Sequence, residues 1–390
     1  MRILYVCNIN PSLTITGAHQ RTFLQVKLLK SFADVDILFL NSEEEISEND
    51  GITQVFLNNK VKNKYNKRMK QLLNLLPCSH FFIHPMDEMS KEYFEKAIHT
   101  KKYDFVFFRY IFSYMKCGAP QLNNMIMDID DLPWQNSECI AQNKNNSILK
   151  RTYHSYRAFW VKYFCKQLWP KFKTIYFSNP KDMIGNNTSY LPNIPFINSD
   201  EELNITQNVV SESNPIVLFV GNLSHVPNYD GLNHFINHIW PQVTKVCPST
   251  ILRIVGRGLP KKLHERWSNI KNIELIGFVK SLNLVYQTAS LVVSPIYAGA
   301  GTNIKVLEAL AYGKVCVLST FSYRGFETNF HNHQDLIVCI DDSYFAYSII
   351  DVLQNSSKYK KMEQSGKKKV KQFYSEKRLK ATFIKDLIMH

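Results

Sequence analysis

The feature that most constrains this chain is an alternation of short apolar runs with helical stretches, broken once by a polar segment. Apolar runs of this kind indicate strands that are buried on both faces of a sheet. Because helices separate them at the spacing of crossover connections, the sequence predicts an α/β protein with two doubly wound parallel-sheet domains. The predicted strands cover residues 2–7, 35–40, 104–108, 125–129 and 174–177 before the break, and 215–221, 251–255, 273–276, 291–294, 315–319 and 336–340 after it.

The polar break lies at residues 196–214, is partly acidic and has no strong periodicity, which indicates an interdomain linker. A chain of 390 residues is long enough for a separate core on each side of it. We therefore expect an N-terminal domain at 1–197 and a C-terminal domain at 214–370. The remaining segment, 371–390, predicts a basic amphipathic helix at about 371–387.

Composition is that of a globular protein, since 45% of the residues are hydrophobic and 21% are charged. The first residues predict a buried strand and not a signal peptide, no apolar run is long enough to span a bilayer, and the eight cysteines include no Cys-x-x-Cys pair. We expect a cytoplasmic protein. The net charge of +14 indicates an anionic partner (a phosphorylated ligand, a membrane surface or a nucleic acid) or else serves only solubility.

The most informative stretch is GAGTNIKVLEALAYG at residues 299–313. Thr302 and Asn303 are good N-cap residues, and Gly313 stands where a left-handed C-terminal cap would fall. The sequence predicts a short helix between them. We expect its core-facing stripe to consist of Ile304, Leu307 and Ala311, with Glu308 at the margin of that stripe.

Lys305 occupies the first turn of this predicted helix, where the helix dipole disfavours a cation. An anion shared with the free N–H groups of the same turn explains the position, and a phosphate is such an anion. Glu308, one turn deeper, can accept hydrogen bonds from vicinal hydroxyls such as those of a ribose. The alternative is an ordinary surface pair between Lys305 and Glu308.

The segment from Gly299 to Ala309 resembles the donor-binding signature of retaining glycosyltransferases of the GT-B fold, in glycosyltransferase family 4. The shared pattern is Gly-x-Gly-Thr-x-x-Lys-x-x-Glu-Ala. The resemblance implies two Rossmann-like domains that face a cleft, with a C-terminal helix that returns to the N-terminal domain. One departure is Ala300, which replaces a glutamate that the family associates with the transferred sugar.

Further motifs at 219–223, 227–231, 239–241, 254–258, 276–279 and 319–326 extend the resemblance. Many family members place an arginine and a lysine after the first strand of this domain, whereas this chain has Asn222 and Asn228. Arg257 and Lys305 would then hold the diphosphate, and both are catalytic candidates. The donor-binding residues that the resemblance implies are Gly17, Asn222, Gly256, Arg257, Gly301, Thr302, Asn303, Lys305 and Glu308.

Asp128-Ile129-Asp130-Asp131 follows a predicted strand, and ligands of open parallel sheets collect beyond the carboxyl ends of strands. The cluster contains Asp-x-Asp, which holds a metal in the other major glycosyltransferase architecture, the GT-A fold; we expect no metal here. Asp131 is a catalytic candidate or the cap of the next helix. Asp130 is an acceptor-side candidate.

Gly17 and Arg21 follow the first predicted strand, where the family also has a glycine and a downstream arginine. We therefore add Arg21 to the acceptor-side candidates. The alternatives are a plain turn at Gly17 and a solvated arginine at position 21.

Two basic stretches, 59–76 and 150–173, combine lysines and arginines with leucines or aromatic residues. Such helices suit the interface of an anionic bilayer. The alternative for 150–173 is that its aromatic side chains face the domain core and its cations are the solvated side.

Together these features predict a metal-independent glycosyltransferase of hexosyltransferase type that needs no cofactor. It would transfer a sugar from a nucleotide-diphosphate-sugar to a glycan or lipid-linked acceptor with retention of configuration, in surface polysaccharide or glycoconjugate synthesis. We expect a cytoplasmic protein that attaches peripherally to the anionic inner face of a membrane and has no nucleic acid partner. The alternatives are an enzyme similar to the GT-B nucleotide-sugar 2-epimerases and a non-catalytic nucleotide-sugar-binding protein.

Overall fold

The computed structural model describes residues 1–40, 52–55, 86–142, 146–195, 214–299 and 301–389. These residues form two compact units, one of Met1–Pro192 with Leu379–His390 and one of Asn193–Arg378. Each unit is built on one parallel sheet, with helices between successive strands. The prediction of two doubly wound parallel-sheet domains is therefore confirmed.

The sheet of the first unit has seven described strands in the order β3-β2-β1-β4-β5-β6-β7, and all neighbours are parallel. The order runs one way from β1 and the other way from β4, so β1 and β4 flank the topological switch point. The strands are β1 (Arg2–Cys7), β2 (Asp34–Leu40), β3 (Ile52–Val55), β4 (Phe105–Arg109), β5 (Met125–Asp128), β6 (Thr174–Phe177) and β7 (Thr188–Tyr190). The helices are α1 (Gly17–Lys30), α2 (Glu88–Thr100), α3 (Tyr110–Lys116), α4 (Gln135–Gln142) and α5 (Ile148–Leu168).

The sheet of the second unit has six described strands in the order β10-β9-β8-β11-β12-β13, again all parallel, and its switch point lies between β8 and β11. The strands are β8 (Ile216–Val220), β9 (Ile251–Val255), β10 (Ile273–Gly277), β11 (Leu291–Ser294), β12 (Cys316–Ser319) and β13 (Ile337–Cys339). The helices are α6 (Val226–His234), α7 (Trp240–Val246), α8 (Lys261–Trp267), α9 (Asn283–Thr288), α10 (Ile304–Ala311), α11 (Asp342–Gln354) and α12 (Lys360–Phe373). A further helix, α13 (Glu376–Ile388), ends the described chain.

The central strands are buried along their whole length because helices cover both faces of each sheet. All of β4, β5, β8 and β11 is buried, which is why their sequences are continuous apolar runs. Two short edge strands, β3 and β7, were missed by the sequence prediction. Both are only partly buried, so neither has a continuous apolar run.

Two helix predictions are wrong in detail. The last segment is not one helix at 371–387, because α12 ends at Phe373 and α13 begins at Glu376. Helix α10 does not have a single core-facing stripe: all of its residues except Ile304 are buried. A helix that is buried on every side needs a specific reason for each charge that it carries.

The end of α13 completes the core of the first unit. Phe383 is fully buried, and its ring centroid lies 6.2 Å from that of Phe107 on β4 and 5.4 Å from that of Tyr176 on β6. Leu379 and Leu387 are buried one turn before and after it. The last helix therefore belongs to the first unit through apolar packing.

Phe383→Ala should destabilise the first unit by about 3–5 kcal/mol, because the substitution leaves a cavity against two buried rings. Calorimetry would show a lower unfolding temperature for that unit. Tyr347→Ala is the matched control, since Tyr347 is an exposed aromatic residue on α11. An effect of Phe383→Ala no larger than that of the control would show that the helix does not contribute to this core.

Candidate functional site

The loops that follow β8, β9 and β11 approach one another so closely that glycine is required at two positions. A Cβ atom on Gly256, which has φ +153°, would lie 1.8 Å from the carbonyl oxygen of Gly221. A Cβ on Gly231 of α6 would lie 2.1 Å from the carbonyl oxygen of Pro295. These contacts bring backbone from three strand ends together at the switch point of the second unit, where open parallel sheets bind their ligands.

Lys305 reaches this switch point from the first turn of α10. Only 8% of the residue is exposed. Its Nζ donates a hydrogen bond to Oδ1 of Asn228 (2.8 Å) and lies 4.4 Å from the centroid of the Phe219 ring. A Cβ on Gly221 would be 3.1 Å from Nζ, so the lysine lies directly against the turn after β8. The alternative interpretation, a surface pair with Glu308, is wrong.

Burial lowers the pKa of Lys305 to about 7, and the charges of Glu308 and Cys316 oppose that effect only in part. No carboxylate lies within ion-pair distance of Nζ in the part of the chain that the structure describes. An ammonium group with so little compensation is suited to an anionic ligand.

Asn222 and Asn228 replace the basic residues that the sequence resemblance led us to expect, and their amides organise the turn. Asn228 donates from Nδ2 to the carbonyl oxygen of Asn222 (2.8 Å) while its Oδ1 accepts from Lys305. The Oδ1 of Asn222 accepts from the backbone N–H and the hydroxyl of Ser224 (3.1 and 2.8 Å). Asn228 thus links Lys305 to the turn.

Arg257 follows Gly256, its side chain is exposed, and it makes no hydrogen bond or ion pair with any residue that the structure describes. Its carbonyl oxygen accepts from the N–H of Leu223 (2.8 Å), which ties the loop after β9 to the turn after β8. The guanidinium is therefore available to a ligand at the same edge of the sheet.

The turn into α10 differs in detail from the prediction. Asn303 is the N-cap residue but makes no side-chain capping hydrogen bond, and the hydroxyl of Thr302 accepts from Nδ2 of Asn193 instead (3.0 Å). Gly301 is buried with φ +73°, a conformation that favours glycine. Gly313 has φ +68°, so the predicted left-handed C-terminal cap is confirmed.

Glu308 lies one turn deeper in α10 and is 5% exposed. Burial raises its pKa, while a hydrogen bond that Tyr286 donates from its hydroxyl to Oε2 (2.8 Å) and the charge of Lys305 lower it. The Tyr286 ring stacks on that of Tyr312 at 4.8 Å. One carboxylate oxygen is therefore fixed by Tyr286, which leaves the other to a ligand.

A second polar cluster lies at the switch point of the first unit, and its charges are paired and buried. Arg21 donates from Nη2 and Nε to the two oxygens of Asp128 (2.6 and 3.0 Å) and from Nη1 to the carbonyl oxygen of Leu191 (2.9 Å). Arg109 lies 2.7 Å from Asp128 and donates to Oδ2 of Asp130 (3.1 Å). The interpretation of Arg21 as a solvated arginine is wrong, since it is only 4% exposed.

Asp131 differs from its neighbours because it is exposed and has no partner in the described residues. Reduced solvation and the charge of Asp130 raise the pKa of Asp131 to about 7. The charges of Arg109 and Arg21 oppose this rise in pKa. Gly17 is the first residue of α1, after the N-cap Thr16.

The residues that the sequence did not single out are mostly buried partners of those that it did. Arg109 and Tyr110 end β4 and begin α3, Asn193 bonds Thr302, and Tyr286 bonds Glu308. The apolar run before Arg109 could have marked it as a strand-end residue. Asn193 and Tyr286 lie far from their partners along the chain, and no local pattern connects them.

Three features that the sequence analysis singled out fall outside the described residues, namely Ala300, the basic stretch 59–76 and, except for Asn214, the predicted linker at 196–214. Within the residues that are described, no group of three or more His, Cys, Asp or Glu side chains is placed to hold a metal ion. Over the same residues, no helix combines the length and apolar character needed to cross a bilayer.

Comparison with known proteins places these sites in a context. Residues 214–355 match the family described as glycosyl transferases group 1. Over 387 residues the chain is 25% identical to an uncharacterized 44.6 kDa protein in the cps region of Klebsiella pneumoniae. This alignment covers 95% of each of the two chains.

Two solved structures share the fold over nearly the whole chain. Sucrose-phosphate synthase from Thermosynechococcus elongatus has a TM-score of 0.66 at 15% identity and covers 97% of this chain and 96% of its own. The E. coli trehalose-6-phosphate protein bound with UDP-2-fluoro glucose has a TM-score of 0.67 at 10% identity and covers 99% of both chains. The chain therefore has the GT-B fold, and its residues 214–355 match a glycosyltransferase domain.

Proposed function

We propose that the protein is a retaining glycosyltransferase that transfers a sugar from a UDP-sugar to a glycan or lipid-linked acceptor during polysaccharide synthesis. The observation that carries the proposal is the buried ammonium of Lys305, which lies against the glycine turn at the β8/β11 switch point and has no ion-pair partner among the described residues. The match of residues 214–355 to glycosyl transferases group 1 supports the reaction, and the relative in a cps region supports the polysaccharide context. UDP is chosen because the similar E. coli structure contains UDP-2-fluoro glucose.

The diphosphate is assigned to Lys305 and Arg257. Lys305 supplies a desolvated positive charge, and Arg257 supplies an exposed guanidinium from the neighbouring loop. Gly221 and Gly301 keep side chains away from the backbone that the phosphates would approach. Glu308 is assigned to the ribose, because one of its oxygens remains available beside Tyr286.

The proposed chemistry needs charge stabilisation more than a general base. When the bond from the sugar to the diphosphate breaks, negative charge grows on the leaving phosphate, and a pre-positioned cation in a dry site stabilises that charge. Lys305 and Arg257 perform this role without a divalent metal in our proposal. By resemblance to the family, the leaving phosphate itself assists the acceptor hydroxyl.

Product analysis with a panel of radiolabelled UDP-sugars tests the proposal. Transfer of label to an acceptor, or slow donor hydrolysis without one, supports a glycosyltransferase. Recovery of an isomerised UDP-sugar indicates an epimerase, and tight binding without turnover indicates a binding protein. Either of the last two results would contradict the proposal.

The affinity for UDP-glucose should fall as pH rises above 7. Below that value the ammonium of Lys305 is already charged; above it, the free protein must take up a proton to bind the diphosphate, because the pKa is about 7. We expect the dissociation constant to rise by up to about tenfold per pH unit from pH 7 until the pKa of the bound state is passed. Calorimetry at pH 6 to 9 measures this.

Lys305→Ala supplies the matched test. It should weaken binding at pH 7 by about ten- to a hundredfold and abolish the pH dependence, since a charged hydrogen-bond partner contributes about 1.5–3 kcal/mol. Lys261→Ala is the control, because the Lys261 side chain is 92% exposed. A folded Lys305→Ala protein that binds like the parent at every pH would remove Lys305 from the donor site.

We further propose that α5 holds the enzyme on an anionic membrane surface. The helix contains no acidic residue, and its buried side is formed by Ala158, Val161 and Cys165. Phe159 (62% exposed) and Tyr163 (47% exposed) lie on the opposite side. The expectation that the aromatic side chains of this helix face the core holds only in part. Tyr156, Trp160 and Phe164 are partly buried against the core, whereas Phe159 and Tyr163 are exposed.

Removing one exposed ring and one cation from α5 should weaken membrane attachment. The double substitution Phe159→Ser, Lys166→Gln should lower binding to phosphatidylglycerol-containing vesicles by about tenfold or more. A cation at the membrane surface contributes about 1 kcal/mol to binding, and insertion of the Phe159 ring into the bilayer adds to that free energy. Vesicle sedimentation at low salt measures the effect, with Lys261→Gln as control. If the parent does not sediment with these vesicles, a soluble acceptor replaces the lipid-linked one.

A further inference from the structure

The exposed surface of α12 consists only of lysine and glutamine side chains. The helix carries six lysines and one glutamate, so its 14 residues hold +5 of the net charge of +14 that the whole chain carries. Its exposed residues are Lys360, Lys361, Gln364, Lys367, Lys368, Lys371 and Gln372. Solubility alone does not require this arrangement, because a surface of mixed sign is equally soluble.

Helical geometry aligns the exposed side chains of α12. Lys361, Gln364, Lys368 and Lys371 are spaced i, i+3, i+7 and i+10, which places them along one side of an α-helix. At a rise of about 1.5 Å per residue, this row is about 15 Å long. Lys367 lies at its margin, one turn before Lys371. The helix therefore presents a straight basic row.

The charges of the row are not compensated by the protein. Lys360 pairs with Glu363 (3.0 Å), whereas Lys361, Lys367, Lys368 and Lys371 have no acidic partner within ion-pair distance among the described residues. Lys367 and Lys371 are four residues apart, a spacing at which like charges destabilise a helix. An anion that bridges the lysines would remove this repulsion.

The opposite side of α12 is fixed to the second unit, so the basic row keeps one orientation. Gly366 packs so closely on α10 that a Cβ would lie 2.8 Å from Cδ2 of Leu310. The buried carboxylate of Asp335 accepts hydrogen bonds from Oγ of Ser365 and Nζ of Lys369, both at 2.6 Å. The backbone of the row is thus ordered before any partner binds, which lowers the entropic cost of binding.

The composition of α12 disfavours a membrane or a nucleic acid as its partner. A helix that inserts into a bilayer interface exposes apolar side chains, but Met362 and Val370 of this helix are buried. Proteins that bind single-stranded nucleic acid stack the bases on aromatic side chains, and no aromatic residue of α12 is exposed.

The same composition complements an acidic polysaccharide. Lysine-rich runs such as residues 367–371 are typical of surfaces that bind heparin or nucleic acid. The lysines can pair with carboxylates, and the amides of Gln364 and Gln372 can exchange hydrogen bonds with hydroxyls. A polymer of acidic sugars carries both groups along its length, in the order in which the row offers their partners.

We propose that α12 binds an acidic polysaccharide along the row from Lys361 to Lys371. The four uncompensated lysines bind its carboxylates, and Gln364 contacts hydroxyls between them. Binding at this surface does not depend on the proposed transfer reaction. If that reaction is correct, the polysaccharide is the growing product.

Calorimetric titration of the intact chain at low salt tests the proposal with three octamers: galacturonic acid, glucose and thymidylate. We expect the galacturonic acid octamer to bind and the neutral glucose octamer not to bind. The thymidylate octamer should bind at least about threefold more weakly than the galacturonic acid octamer, because it lacks the hydroxyls that the glutamines contact.

Removing the charges of the row should abolish most of this binding. Replacement of Lys361, Lys367, Lys368 and Lys371 by glutamine should weaken binding of the galacturonic acid octamer by at least about tenfold. It should also lower the slope of log Kd against log salt by about three, since each released counterion contributes about 0.7–0.9 to such slopes in nucleic acids. Replacement of the same four lysines by arginine should preserve binding.

The control variant removes the same number of charges from exposed lysines elsewhere in the second unit. It replaces Lys245, Lys261, Lys262 and Lys271 by glutamine. Equal losses of binding in this variant and in the α12 variant would show that net charge is responsible, and would overturn the proposal. UDP binding in the same samples reports that the second unit is folded.

Three other results would also overturn the proposal. They are no binding of the galacturonic acid octamer, tighter binding of the thymidylate octamer, and binding to phosphatidylglycerol vesicles that the α12 variant loses and the control variant keeps. The last two would assign the row to a nucleic acid or a membrane. UDP-sugar turnover is measured separately, so failure here is distinguishable from failure of the proposed transfer reaction.

Discussion

Lys305 is buried in the second unit and has no ion-pair partner among the described residues. Burying an unpaired ammonium is costly, and the cost appears as a pKa lowered to about 7. The Asn228 amide and the Phe219 ring offset only part of it. A buried charge with so little compensation is typical of a site that a ligand completes, and in our proposal that ligand is a diphosphate.

The two units share one sheet topology but differ in how far their buried charges are paired. Each sheet reverses its strand order at one point, and polar residues gather there because parallel strands end together. In the first unit two arginines and two aspartates neutralise one another below the surface. In the second unit, Lys305 is compensated only in part, by the charge of Glu308 and the hydrogen bond to Asn228. The second arrangement suits the phosphorylated donor that we propose.

Much of the fold was predictable because buried parallel strands are continuous apolar runs. The strands at 174–177, 251–255 and 291–294 agree with the prediction to the residue. Gly313 was predictable from its place after a helical pattern. The break between α12 and α13 was not, since residues 371–387 keep a basic amphipathic pattern through it.

The candidate site was predictable in its residue types but not in its contacts. Lys305 and Glu308 were identified from one helical turn, because a cation in that position needs an anion. The burial of α10 was not predictable from periodicity, and neither was the bond from Tyr286, since Tyr286 and Glu308 are 22 residues apart. Tyr110, where β4 passes into α3 with φ +65°, was not singled out, because a left-handed conformation at a tyrosine has no sequence signal.

A crystal structure with bound UDP tests most directly whether the buried lysine serves a diphosphate. We predict phosphate oxygens at about 3 Å from Nζ of Lys305 and from the guanidinium of Arg257, with the ribose hydroxyls on Glu308. UDP bound elsewhere on the chain, with Lys305 still bonded to Asn228 and remote from the phosphates, would contradict the claim that Lys305 binds the diphosphate.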